Sequence, residues 1–173
     1  NLGTIFRVSS AGQLTTLVYC NAVTGTSPKA ALVQGADGNL YGSTTGGGTS
    51  SSGTLFKMTL AGEVTVLVNL RGTVNTAYGS NTQAAMIQGL DGNFYGVCGG
   101  GGANSVGTLF KLTPSGTFTT LVSFTGTSGA APGSTPLGPL VQGADGTLYG
   151  ATTTSGIGGT NGTIFKCTTS GTL

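Results

Sequence analysis

Gly107-Thr-Leu-Phe-Lys-Leu-Thr-Pro-Ser-Gly-Thr-Phe-Thr-Thr-Leu-Val-Ser-Phe124 is the stretch whose pattern sets the fold. From Thr108 to Thr113 the side chains alternate, with Phe110 and Leu112 on one face and Leu109 and Lys111 on the other, which is the period of a β-strand. Pro114-Ser-Gly116 is a turn signal, and Thr117 to Phe124 is a second β run, so the stretch predicts an antiparallel hairpin. Its opening phrase, Gly-Thr-(Ile/Leu)-Phe-(Lys/Arg), starts at Gly3, Gly53, Gly107 and Gly162, in steps of 50, 54 and 55 residues. Self-similarity at that spacing predicts a repeat architecture in which each unit buries its apolar faces against its neighbours.

A second phrase runs between these hairpins: Gln34-Gly-Ala-Asp-Gly-Asn-Leu-Tyr-Gly42, Gln88-Gly-Leu-Asp-Gly-Asn-Phe-Tyr-Gly96 and Gln142-Gly-Ala-Asp-Gly-Thr-Leu-Tyr-Gly150. Asp before Gly closes a tight turn, because Asp bonds its own backbone and Gly accepts positive φ. In the central copy, Ala84–Gln88 and Asn93–Cys98 become the first two strands, and the glycine-rich stretch 99–106 reads as a flexible connector to the third. Each unit is then a meander of four antiparallel strands without a helix. Length differences collect in the loops around 21–30, 71–83 and 125–138, where change is tolerated. The expected organisation is one repeat domain over 1–173: a part-repeat at 1–30, then repeats at about 31–83, 84–137 and 138–173, the last incomplete.

These phrases carry a family resemblance. "LVQGADGNLYGSTTGGG" and "GTLFKLTPSGTFTTLVSF" resemble the Gloeobacter/Verrucomicrobia (GloVer) tandem repeat, over essentially the whole chain. The resemblance implies bacterial origin and a secreted or surface-anchored parent protein, and implies no established activity. "DGNLYG" is also similar to propeller repeats of sensor and quinoprotein type. The expected fold is all-β: tandem four-stranded antiparallel meanders as β-propeller-like blades, with an open β-solenoid as the alternative.

Composition narrows function by exclusion. Charged residues make up only 6% of the chain, against roughly 25% in an ordinary soluble domain, and the net charge is +2, too thin for nucleic-acid binding. No apolar run approaches the roughly 20 residues needed to cross a bilayer. Glycine, at 34 residues, and abundant Ser and Thr give a weakly charged, hydroxyl-rich surface, which suits an extracellular or cell-surface setting. The chain opens without Met or a signal peptide, which suggests a mature segment or a piece of something longer.

Chemistry is scarce. His and Trp are absent, and the carboxylates are Asp37, Glu63, Asp91 and Asp145, three of them one turn position repeated. Histidine-based acid–base catalysis, a Ser-His-Asp arrangement and a histidine metal site therefore have no residues to use. No catalytic residue, metal site or cofactor is expected. Arg7, Lys57, Lys111 and Lys166 also repeat one position, facing water or pairing with the turn aspartates. Cys20, Cys98 and Cys167 fall at three different positions of the repeat, as small buried fillers would. The best ligand-binding candidates are the ladder Tyr41, Tyr95 and Tyr149 with Gln34, Gln88 and Gln142, a combination sugar-binding propellers use, against a packing role for the same residues.

Propellers close with about 4–8 blades, and three repeats with overlapping ends do not close a normal ring. The expected function is a non-enzymatic structural or assembly module of an exported bacterial surface protein, polymerising into fibres by sharing terminal strands. Its expected partner is a further copy, head to tail, or the remainder of a longer repeat chain. The alternative is a lectin-like propeller that binds glycans or another ligand.

Overall fold

The computed structural model describes residues 2–72, 79–155, 159 and 161–173. Its described residues contain strands and turns and no helix, so none is long and apolar enough to cross a membrane. Residues 73–78, part of the expected length-variable loop at 71–83, lie outside the described residues.

The hairpin read from residues 107–124 is present in each unit. Sheet I is β1 (Thr4–Val8) with β2 (Leu14–Tyr19). Sheet II is a full meander of β3 (Val33–Gln34), β4 (Leu40–Ser43), β5 (Thr54–Met58) and β6 (Val64–Asn69). Between the sheets lies β7 (Gly79–Ser80). Sheet III joins β8 (Ile87–Gln88) and β9 (Phe94–Cys98) to β11 (Thr108–Leu112) and β12 (Phe118–Ser123), with β10 (Gly100–Gly101) between β9 and β11. Sheet IV holds β13 (Val141–Gln142), β14 (Leu148–Ala151) and β15 (Ile164–Cys167). Every pairing within sheets I–IV is antiparallel.

The first strand of each meander is shorter than expected. Only Ile87 and Gln88 pair with β9, opposite Tyr95 and Phe94. The residues before them leave the ladder, and Met86 covers Gly96 with its side chain: a Cβ on Gly96 would lie 3.0 Å from Met86 Cγ and 2.6 Å from Phe110 Cζ.

Alternation along the third strand sends Phe one way and Leu the other, and the two sets meet between sheets. Leu55, Tyr41 and Val68 of sheet II pack with Met86, Phe94, Phe110 and Leu112 of sheet III. Leu109, Tyr95 and Val122 of sheet III pack with Leu140, Leu148, Phe165 and Cys167 of sheet IV. Ile5 of sheet I joins Phe56 and Met58 of sheet II. Each sheet thus has a Leu/Tyr face that meets the Phe face of the sheet following it. Burying one such ring contributes roughly 1.5–3 kcal/mol.

A β-bulge adjusts this pattern at one position in three sheets. The register slips between Ile5 and Phe6, between Leu55 and Phe56, and between Leu109 and Phe110. In sheet III, Leu109 pairs with Val122 and Phe110 with Thr120, leaving Leu121 as the extra residue. The bulge turns two consecutive side chains, Leu121 and Val122, toward the same cluster. Leu67 with Val68 and Leu17 with Val18 repeat the device.

The glycine-rich stretches depart from the flexible connector expected of them. Gly100 and Gly101 pair with Ser80 and Gly79, and Thr26 with Gly46 and Ser134 with Thr154 form matching bridges. The backbones approach so closely that a Cβ on Gly79 would stand 2.2 Å from Cys98 Cβ. Glycine is required here for space. Gly25 and Gly133 hold the same position over Thr44 and Thr152.

Candidate functional site

The repeated turn is held by its aspartate. Asp37 accepts from Asn39 N–H at 3.1 Å, from Asn39 Nδ2 at 2.8 Å and from the Tyr41 hydroxyl at 2.8 Å. Asp91 repeats these bonds with Asn93 N–H, Asn93 Nδ2 and the Tyr95 hydroxyl at 3.2, 2.7 and 2.7 Å. Lys111 Nζ lies 3.5 Å from Asp91 Oδ2; so exposed a pair contributes about 0–1 kcal/mol. Asp145 accepts from Thr147 N–H and its hydroxyl at 3.0 and 2.9 Å. Tyr149 makes no matching bond.

These contacts set the protonation states. The Asn39 side chain, followed by Tyr41, holds Asp37 below the usual carboxylate range. Asp91 is also lowered: burial pulls it upward, and the Asn93 and Tyr95 bonds outweigh that. Burial and the Asp37 bond push the Tyr41 phenol up to about 12, and Tyr95 rises for the same reasons with Asp91. Carboxylates kept ionised and phenols kept neutral make poor proton-transfer groups near neutral pH. Cys20, Cys98 and Cys167 are free thiols, each raised by burial, Cys98 to about 12. A thiol so raised is a weak nucleophile. No group of three His, Cys, Asp or Glu side chains converges among the described residues.

The candidate glutamines bridge sheets. Each donates its Nε2 into its own turn: Gln34 to the Gly38 carbonyl, Gln88 to Gly92 and Gln142 to Gly146, at 3.1, 2.9 and 2.8 Å. Gln88 Oε1 also accepts Ala36 N–H of the preceding turn at 2.9 Å, and Gln142 Oε1 accepts Leu90 N–H at 2.8 Å. Sequence reading found these glutamines by repetition but missed this contact, which spans 52 residues each time. The Gly25, Gly79 and Gly133 series was missed as well; its signal was the recurring Gly-(Thr/Ser) pair at a spacing of 54.

The candidate tyrosines divide. Tyr41 and Tyr95 are fully buried, and the Tyr41 ring stacks on Phe94 with centroids 3.9 Å apart. Their ring faces and hydroxyls are already engaged. Tyr149, on the last sheet, is exposed. Near it runs an open groove of about 220 Å³, lined by Leu90, Asp91, Gln142, Asp145, Thr147 and Thr168.

Exposed apolar residues gather on the two end sheets. Phe6 is 56% exposed, whereas Phe56 and Phe110 at the same repeat position are 1% exposed; Ile164 is 89% exposed, whereas Leu55 and Leu109 are fully buried. Val8 and Leu14 on sheet I and Val141 on sheet IV are exposed too. The open surfaces are the Phe face of sheet I and the Leu/Tyr face of sheet IV, the two kinds of surface that mate inside the molecule.

With that self-mating pattern in view, the comparison with known families is decisive: the Gloeobacter/Verrucomicrobia repeat model matches residues 1–173. The chain belongs to the Gloeobacter/Verrucomicrobia repeat family. None of the curated proteins matches it. Among solved structures, one described as a gluconolactonase is similar at 20% identity and a TM-score of 0.51, over 94% of this chain and 45% of its own. The chain therefore spans less than half of that structure's length. At that identity the likeness concerns the fold alone, and for this repeat chain it supports the all-β arrangement.

Proposed function

We propose that this chain is a non-enzymatic structural module of an exported bacterial surface protein, and that its work is to extend an array of stacked sheets by sharing terminal strands. The observation that carries the proposal is the pair of uncovered end surfaces, Phe6 with Val8 and Leu14 at one end and Ile164 with Tyr149 at the other. Apolar surface of matched kind at both ends favours further packing of the same sort. Against catalysis stand the lack of His, turn aspartates already engaged by hydrogen bonds and thiols raised by burial. The gluconolactonase description of the similar structure makes lactone hydrolysis the activity to test. The module reading predicts no turnover of aldonolactones above background and self-association of the purified chain. Turnover that saturates with substrate overturns it.

One observation favours a second reading, glycan binding. Tyr149 is the exposed member of the Tyr ladder, and the groove beside it carries Gln142, Asp145 and Thr147. A glycan array with saturable hits that vanish in Tyr149→Ala, in a chain whose circular dichroism is unchanged, would support that reading over the first.

A further inference from the structure

We propose that two copies of this chain join head to tail and reciprocally, the β1–β2 hairpin of each completing the β13–β14 hairpin of the other, to give a closed ring of six sheets. The inference rests on the assembly reading above and names the partner, the strands and the closure.

Sheet IV has three strands, and its outermost, β15, pairs with β14 alone. Sheet I has two strands, the third and fourth of a meander, and β1 pairs with β2 alone. The missing part of each is the part the other holds. β1 and β15 are copies of one motif, Gly3-Thr-Ile-Phe and Gly162-Thr-Ile-Phe. β14 pairs Leu148 with Cys167, Tyr149 with Lys166, Gly150 with Phe165 and Ala151 with Ile164. An incoming β1 offers Val8, Arg7, Phe6 and Ile5 in the same register. What leaves at the third strand matches what arrives, Phe6 and Val8 taking the places of Phe165 and Cys167. The exchange adds the fourth strand, β2, with its Leu17–Val18 bulge.

The exchange also covers the surfaces that stand open. Inside sheet II, Phe56 lies beneath Gly42 beside Leu32, and in sheet IV Gly150 and Leu140 make the same cradle. Phe6 of the second copy would enter that cradle. Sheet II of the second copy would then face Val141 and Tyr149. Its Leu32 and Leu40 are only half-buried, whereas Met86 and Phe94 at the same positions are buried. The hydrogen-bond series marks the register. Ala36 N–H meets Gln88 and Leu90 N–H meets Gln142; Ala144 N–H and Gln34 Oε1 are the unpaired next terms. Joining the copies brings those two groups together.

Closure follows from counting. Each copy adds three sheets to the ring, and propellers close with about 4–8. One copy gives too few and three give too many, while two give six. The similar solved structure matches this chain over 45% of its own length, a share that a second copy would roughly double.

Two measurements test the proposal on the intact chain. Sedimentation equilibrium should return twice the chain mass over a wide concentration range. Phe6→Glu, a change at a residue exposed in the single chain, should keep the strand signature in circular dichroism while raising the dimer dissociation constant on the order of 100-fold or more. The double variant Arg7→Cys and Tyr149→Cys reads the register directly, since facing residues on paired strands lie within disulfide reach. Oxidation should yield a covalent two-chain species, and this readout stands even if Phe6→Glu fails to fold. A monomer, an open-ended series of masses, a bond closed within one chain, or no cross-link overturns the ring. A folded monomer inert toward lactones would sink the ring alone and leave the non-enzymatic reading in place.

Discussion

Gly79 and Cys98 show how much a single position contributes. The glycine's Cα sits over the cysteine so closely that no side chain fits. Gly79→Ala should destabilise the chain by about 1–3 kcal/mol or more through overpacking, read as a lower urea midpoint. The sequence displayed the glycine, but its contact lies 19 positions away across two loops, so only the fold reveals the need. The Asp turn was legible, because its bonds are local and the Asp-Gly pair advertises them. It also carries a pH dependence. Tyr41 and Tyr95 hold their protons more tightly when folded, so their contribution is complete below the ordinary tyrosine value of about 10 and is lost as pH climbs through about 12 for Tyr41. Asp37, Asp91 and Asp145 are lowered, so their share is present above the ordinary value of about 3.9 and fades as pH falls below it. Urea midpoints should therefore drop at both extremes, and Tyr95→Phe should flatten part of the alkaline limb. An alkaline limb unchanged in Tyr95→Phe would remove this hydroxyl from the account.

At the scale of strands and turns, a meander holds its neighbour through one ring, one bulge and one amide. Phe110 is enclosed between sheets II and III, with Phe118 stacked at 5.1 Å. Phe110→Ala should cost about 3–5 kcal/mol, and a change under about 0.5 kcal/mol would mean that the ring does not hold the sheets together. Gln88 ties two turns, and Gln88→Ala should cost about 0.5–1.5 kcal/mol for the lost inter-sheet bond, measured by thermal or urea unfolding. The alternation that placed Phe110 and Leu112 on one face was readable from period alone. The bulge was not: Leu121 and Val122 are adjacent in sequence, and strict alternation would send them to opposite faces. Packing against sheet IV overrides the period there.

Across the whole molecule, stability should grade from the middle outward. Sheets II and III are covered on both faces, whereas sheets I and IV each leave one apolar face open. Amide exchange should be slowest in β9 and β11 and fastest in β1, β2 and β15; protection of β1 and β2 equal to that of β9 would signal that a partner covers the end sheets. The sequence by itself determined the strand-only class, the repeat length, the turn chemistry and the scarcity of catalytic groups, because each depends on residues near one another in the chain. Only the tertiary structure decided which face meets which, that Gln88 and Gln142 reach back to the preceding turn, and that Tyr41 and Tyr95 are enclosed while Tyr149 is not. Repeated residues look alike in sequence. Their burial depends on whether another sheet stands beside them, and that is a property of position in the stack.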